Sequence, residues 1–127
     1  MAESQDLRVM ARSANADMSA KRYYIVRVVA NSGCDIASLA TTSAIAGVLV
    51  NDPKSGETAA IAYAGLGKVV GGGTVTDGSF ITSDSSGRAV NAGSGDMVIG
   101  RALTTATTTG EVVSALLIPP FRWSGAA

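Results

Sequence analysis

Apolar and polar positions along this chain alternate in short runs, and turn residues interrupt them. The run Tyr23–Ala30 (YYIVRVVA) is rich in β-branched and aromatic residues, and Asn31-Ser32-Gly33 ends it. Strand-like runs separated by turn chemistry every ~8–12 residues are typical of all-β folds. The pattern therefore predicts a small all-β barrel or sandwich.

The remaining predicted strands follow the same logic. They lie around residues 35–39, from residue 44 to 51, from 57 to 65, in a short run ending at Gly71-Gly72-Gly73, at 79–82, at 88–92, at 97–103 and at 111–118. Asp77-Gly78 predicts a hairpin between Val75 and the pair Phe80-Ile81. Pro119-Pro120 is expected to stop strand pairing.

The first twenty residues differ from the rest because they mix charges with small polar residues. Their few apolar side chains fall roughly on a helical period: Leu7, Met10, Ala11, Ala14 and Met18. A helix this short is marginal in water, so residues 1–20 are interpreted as a flexible arm, either loose or ordered against a partner. The domain boundaries that follow are 1–20 for the arm, 21–120 for a β-barrel domain and 121–127 for a C-terminal tail.

The two halves of the chain resemble each other. Gly33–Ser38 leads to a strand containing Gly47, then to a polar loop ending in Gly56-Glu57 and a further strand. Gly78–Ser83 leads in the same way to a strand containing Gly100 and a loop ending in Gly110-Glu111. Two explanations stay open: reuse of common hairpin chemistry, or pseudo-repeated hairpins in which Gly47 and Gly100 occupy matching bends.

Candidate chemistry is sparse. The chain has no histidine, which removes the commonest general base and metal ligand. Its single cysteine, Cys34, cannot form an intramolecular disulfide or a zinc site and is interpreted as a buried apolar thiol. Asp77, Asp84 and Asp96 stand in turns, where Asp caps backbone N–H groups. We expect no catalytic residues, no metal and no cofactor, and therefore no enzyme.

The charge and hydropathy of the chain limit the classes of partner that it is expected to bind. Ten basic residues balance ten acidic residues, giving a formal net charge of +0, so no overall field recruits nucleic acid or an anionic membrane. No run approaches the ~18 apolar residues needed to cross a bilayer, and no secretory apolar segment opens the chain. A soluble, unexported protein is expected.

Large side chains stand at both ends of the predicted barrel. Tyr, Trp, Phe and Arg are favoured in protein interfaces. The candidate interface consists of Arg8, Arg12, Tyr23, Tyr24, Phe121, Arg122 and Trp123. For Trp123, folding back over an open barrel end is the alternative to a contact with a subunit or partner.

Three stretches carry a family resemblance. They are AIAGVLVNDPKSGETAAIAYAG from Ala44, VTDGSFITSDSSGRAVNAGSGDMVIGRAL from Val75, and GEVVSALLI from Gly110. Together they resemble the small head decoration, or capsid cement, proteins of tailed double-stranded DNA phages. The insertion of Cys34 between Gly33 and Asp35 departs from the family pattern, as does Ser79 after Gly78.

The resemblance implies a β-barrel or β-tulip-like fold, a homo-oligomer with a trimer favoured, and binding to the shell of the major capsid protein. It implies a virion protein on the outer capsid surface, made in the host cytoplasm, that stabilises the shell. Two alternatives stay open: a soluble module that binds carbohydrate through the loop Thr104–Thr109, or another virion part such as a head fibre or tail adaptor.

Overall fold

The structure is a computed structural model that describes residues 7–38 and 44–123. All its regular elements are strands. They are β1 (Arg8–Ala14), β2 (Ile25–Val29), β3 (Gly33–Ile36), β4 (Ile45–Leu49), β5 (Thr58–Val70), β6 (Phe80–Ser83), β7 (Ala89–Asn91), β8 (Met97–Ala102) and β9 (Val112–Arg122). The all-β prediction is confirmed. Residues 1–6 of the predicted arm, 124–127 of the predicted tail and Leu39, the predicted end of a strand, lie outside the described residues.

Five strands close into a barrel. Their order is β1-β3-β2-β4-β5, and β1 also pairs with β5, which completes the ring. The β1–β3 pair is parallel and the other pairs are antiparallel. Because closure leaves no unpaired edge among these strands, it removes the template for edge-to-edge aggregation. We call residues 8–64 the first barrel.

Strand β5 continues beyond this barrel and begins a second one. Its first half pairs with β1 and β4, while Gly65–Val70 pairs with β9. The order then runs β5-β9-β8-β6-β7, and a parallel bridge between Gly71 and Ala89 returns to β7. The prediction of two strands within this stretch is therefore wrong, because one strand of 13 residues serves both barrels. We call residues 65–122 the second barrel.

Backbone hydrogen bonds recur at equivalent positions in the two barrels. Asn15 N donates to Cys34 O at 2.9 Å in the first barrel, and Gly72 N donates to Ala89 O at 2.7 Å in the second. The same correspondence holds for other backbone pairs. These pairs are Ala14 N–Glu57 O and Gly71 N–Glu111 O, Gly56 N–Ala14 O and Gly110 N–Gly71 O, Met18 N–Pro53 O and Val75 N–Ala106 O, and Tyr23 N–Leu49 O and Gly78 N–Ala102 O. The second half of β5 is thus the counterpart of β1.

This correspondence corrects part of the repeat read from the sequence. The matches of Gly47 with Gly100 and of Glu57 with Glu111 hold. The match of Gly33–Ser38 with Gly78–Ser83 is wrong, because β6 lies beside β8 as β2 lies beside β4. Position by position, β3 corresponds to β7, since Val28 pairs with Cys34 as Ser83 pairs with Ala89.

The repeated glycines are needed for close backbone approach. A Cβ added at Gly47 would overlap the carbonyl oxygen of Ala62, and one added at Gly100 would overlap that of Leu116. Both collisions are with a neighbouring strand's backbone, which cannot rotate away as a side chain can. These two positions therefore bring β4 against β5 and β8 against β9.

The repeated glutamates close equivalent loops. The Glu57 carboxylate accepts a 2.8 Å hydrogen bond from the N–H of Lys54. The Glu111 carboxylate accepts from the N–H groups of Thr107 at 2.8 Å and Thr108 at 3.0 Å, and from the Thr108 hydroxyl at 3.0 Å. These hydrogen bonds, first the Thr107 and Thr108 amides and then the Thr108 hydroxyl, lower the pKa of Glu111 from its ordinary value.

The first barrel is filled by small and medium side chains. Its interior cluster contains Ala14, Met18, Val26, Cys34, Ala46, Leu49, Ala59 and Ile61. Cys34 is fully buried, which confirms the interpretation of an apolar thiol, and burial raises its pKa. A second cluster joins the interior of the second barrel to the outer side of β2 and β4, so the barrels share one continuous apolar contact.

The prediction of a loose or helical N-terminal segment is wrong for residues 8–14, which form β1. Met10 pairs with Ile61 and Arg12 with Ala59. Arg12 turns its guanidinium onto backbone oxygens, donating to Gly33 O at 2.7 Å and Val29 O at 3.2 Å. A cation on this strand is compatible with the barrel because those carbonyls satisfy it.

Two turn predictions also need correction. Strand β9 continues through Pro119-Pro120 to Arg122, because the pairing with β8 shifts there and the prolines fall in the irregularity. The Asp77-Gly78 turn forms, with Ser79 N donating to Thr76 O at 3.0 Å. Its flanks do not make the predicted hairpin, since Val75 bridges to Ala106 and β6 pairs with β7 and β8.

We predict that G100A destabilises the protein by about 1–3 kcal/mol, because the new Cβ meets the backbone of Leu116. Urea denaturation measures the free energy of unfolding. The matched control is G93A, whose Cβ would have only the Asp96 carboxylate nearby, at 3.7 Å, and it should change stability by less than about 0.5 kcal/mol. Equal effects of the two variants would contradict the close approach of β8 and β9.

We predict that Glu111 contributes to stability in a pH-dependent way. Since its folded pKa is lowered, its contribution is present above the ordinary glutamate pKa of about 4.3 and disappears as the pH falls through the folded pKa. Thermal melts of the natural protein and E111Q should therefore differ most at pH 6 and converge towards pH 3. A difference that stays constant over this range would argue against the loop geometry.

Candidate interaction surface

One row of side chains crosses the outer side of the second barrel. Leu66 of β5 pairs with Leu116 of β9, Leu116 with Arg101 of β8, and Arg101 with Phe80 of β6. Directly paired residues present their side chains on the same face of a sheet. Leu66 is 40% exposed and Leu116 41% exposed. We call Leu66, Phe80, Arg101 and Leu116 the outer row.

An aromatic cluster extends the outer row at the β6 end. The Phe80 ring meets those of Phe121 at 5.9 Å and Trp123 at 5.3 Å, both edge to face. The Arg101 guanidinium stacks over Phe80 at 4.6 Å from the ring centroid. Phe121 remains 38% exposed. This end of the surface therefore presents the residue types that protein interfaces favour.

Most of the equivalent row of the first barrel is hidden. Three of its members, Ile25, Val48 and Ala62, are fully buried within the cluster that joins the barrels. The fourth, Val9, pairs with Ala62 as Leu66 pairs with Leu116, and it remains 47% exposed. The β6–β7 turn lies across one end, where Gly87 O accepts a 2.7 Å hydrogen bond from Ile25 N. The same position in the repeat is thus covered in one barrel and open in the other.

A recess of about 550 Å³ lies at the opposite end of the outer row, beside the first barrel. It is lined by Leu7, Tyr23, Val50, Leu66, Gly67, Lys68, Leu103 and Ser114. Tyr23 has φ 72°, a left-handed conformation that is uncommon for a bulky residue, whereas its counterpart in the second barrel is Gly78 at φ 90°. A tyrosine in a strained backbone conformation thus lines the recess and packs against the cluster that joins the barrels.

The predicted interface residues fall into two groups. On the first barrel, Arg8 is exposed and Tyr24 lies under the Lys21 ammonium at 4.9 Å, while Arg12 is engaged with backbone oxygens. Tyr23 lines the recess. On the second barrel, Phe121 and Trp123 meet in the aromatic cluster, and Arg122 donates to Gly95 O at 2.7 Å. Their role in an interface stays a prediction.

Sequence reasoning missed Phe80, Arg101, Leu66 and Leu116. They stand far apart in the chain, and only the register of four strands brings them into one row. The available signal was the repeat itself, because Val48 of the first barrel corresponds to the charged Arg101. An apolar position that becomes charged in its repeat copy indicates a change of environment.

Within residues 7–38 and 44–123, no three His, Cys, Asp or Glu side chains gather as a metal site requires. In the same part of the chain there is no helix with the length and apolar character needed to cross a membrane.

Comparisons with known proteins agree with this architecture. A family model described as phage cement protein matches residues 12–117. No curated protein matches the chain. Among solved structures, the chain is similar to the head fibre gp8.5 N base of bacteriophage phi29, with 19% sequence identity and a TM-score of 0.61 over 87% of this chain and 93% of that chain. At this identity the likeness concerns the fold alone.

The family match spans most of the chain and includes strands of both barrels. This chain therefore belongs to the phage cement protein family and is a structural protein of the phage virion.

Proposed function

We propose that this protein attaches to the outer surface of an assembled phage head and stabilises the shell, with the aromatic cluster of the second barrel in the contact. The observation that carries this proposal is the aromatic cluster beside Arg101, in which Phe121 is exposed and Phe80 and Trp123 are half-buried, in a chain of the cement family. Rings already packed edge to face lose little freedom on binding, so they suit the centre of an interface.

The protein acts as a homo-oligomer, and a trimer is favoured. A closed ring of copies engages several equivalent sites on a shell at once, so a modest contact per copy gives strong overall attachment. Such a protein is made in the host cytoplasm, assembles from solution and performs no reaction. Its zero net charge fits a protein that recognises neither nucleic acid nor membrane.

A carbohydrate-binding role for the loop Thr104–Thr109 has less support. The polar groups of this loop are used internally, since Thr107 and Thr108 both donate to Glu111. Thr104 accepts from Ser114 N at 3.1 Å, and Thr109 donates to Gly72 O at 3.3 Å. Few donors are left to converge on a sugar.

The fold likeness to a head fibre base favours a second candidate, in which this chain forms the base of a fibre on the head. Both candidates put the protein on the capsid. Electron microscopy of decorated particles separates them: a decoration protein leaves a compact cap over the shell, whereas a fibre base carries density that projects beyond it.

We predict that the double variant F121A/W123A binds empty shells of the cognate phage about 10-fold or more weakly than the natural protein, because truncation of paired aromatic anchors removes most of a local contact. Co-sedimentation with shells over a range of protein concentrations measures the affinity. V9A is the matched control, since Val9 is 47% exposed on the first barrel. Undiminished binding of the double variant would remove the aromatic cluster from the contact.

A further inference from the structure

The outer row differs in environment from its counterpart in the first barrel, although the two barrels match in fold. In the first barrel the row of Ile25, Val48 and Ala62 is covered by the second barrel. In the second barrel the corresponding Phe80, Arg101 and Leu116 have no such cover. We propose that the outer row and the adjoining recess bind an acidic, apolar segment of the shell protein, an inference that rests on the proposed function.

A second copy of this chain cannot cover the outer row as the second barrel covers the first. The covering contact needs a glycine at position 87, because a Cβ there would overlap the Ile36 side chain and lie 2.9 Å from Ile25 O. The corresponding turn of the first barrel carries Ser32, which has a Cβ. The counterpart of Ile25 in the second barrel is Phe80, so in the same arrangement the Ser32 Cβ of a second copy would crowd the Phe80 backbone oxygen. The stacking cannot repeat from chain to chain without a shift of the backbone.

Arg101 also makes the hydrogen bond that a further barrel would make to the second one. In the first barrel Tyr23 O accepts a hydrogen bond of 2.9 Å from Val70 N, which belongs to the second barrel. In the second barrel the corresponding Gly78 O accepts from an Arg101 Nη1 at 2.6 Å. The backbone oxygen that would receive the next barrel is thus already satisfied within the chain.

The charges on this surface select an acidic partner. Lys68 and Arg101 are exposed, and neither has a carboxylate partner among the residues that the structure describes. The outward positions of the paired strands carry no acid. They are Leu66 and Lys68 on β5, Val112, Ser114 and Leu116 on β9, Arg101 on β8 and Phe80 on β6. A guanidinium stacked on a ring keeps edge donors for a carboxylate.

The apolar part of the partner follows from the same surface. Leu103 is 40% exposed and lines the recess together with Leu66 and Tyr23. A recess of about 550 Å³ accepts large apolar side chains. An extended segment with apolar side chains in the recess and a carboxylate near Lys68 or Arg101 therefore satisfies both features.

The test uses the full protein and empty shells of the cognate phage. We expect R101E to weaken co-sedimentation about 10-fold or more, and R101K to weaken it less because the charge is kept. K54E is the matched control: it makes the same change of charge type on an exposed loop of the first barrel. If R101E also lowers the melting temperature, K68E is used in its place. It reverses the charge in the same way, at a side chain that does not bond to Gly78 O.

Zero-length carbodiimide coupling of the bound protein identifies the partner. We expect Lys68 to couple to an Asp or Glu of the shell protein. If R101E and K68E bind shells as tightly as the natural protein does, the inference is overturned and the proposed function stands. Failure of the natural protein to bind shells overturns both. Coupling of Lys68 to a second copy, or a change in the mass of R101E by light scattering, assigns the surface to self-association and also overturns the inference.

Discussion

The arrangement of this molecule depends on one strand that belongs to two barrels. Strand β5 pairs with β1 and β4 through its first half and with β9 through its second. At the junction Gly65 has φ 106°, a conformation open to glycine but strained for other residues. Because hydrogen bonds fix both halves of the strand, the two barrels cannot turn independently. Their relative orientation decides which faces are buried and which stay open.

The consequence is an asymmetry between two copies of one design. The repeat conserves backbone bonds, the glycines at positions 47 and 100 and the glutamates that close the loops. What differs is the outer side of each barrel: fully buried Val48 in the first corresponds to exposed Arg101 in the second. Folding explains the apolar Val48, since burial of apolar surface joins the barrels. Folding does not require a charged residue at position 101, so the Arg101 side chain is available for a partner.

Much of this fold could be predicted from the sequence, because turn residues bound most strands and β-branched residues fill them. The N-terminal strand β1 could not be predicted in this way. Its more buried positions are Met10, Arg12 and Ala14, and a charged residue in the middle of them obscures the alternation that is typical of a strand. The backbone oxygens that satisfy Arg12 come from the ends of β2 and β3, which are distant in sequence. The prolines at 119 and 120 are tolerated only because the β8–β9 register shifts beside them.

The candidate surface was partly visible in advance for a similar reason. Phe121 and Trp123 stand together near the end of the chain, so their type and position sufficed to single them out. Phe80 completes their cluster from another strand, and its contact depends on the pairing of β6 with β8 and of β8 with β9. Such contacts become predictable from sequence only after the repeat is aligned through the correct strands.

The central claim is that the open face of the second barrel, and not its counterpart on the first, meets the phage shell. Hydroxyl-radical footprinting of the free and shell-bound protein tests it directly. The account predicts that Phe80 and Leu116 react in solution and become protected on shells, while Val9 on the first barrel keeps its reactivity. Protection of Val9 with unchanged reactivity of Phe80 and Leu116 would contradict it.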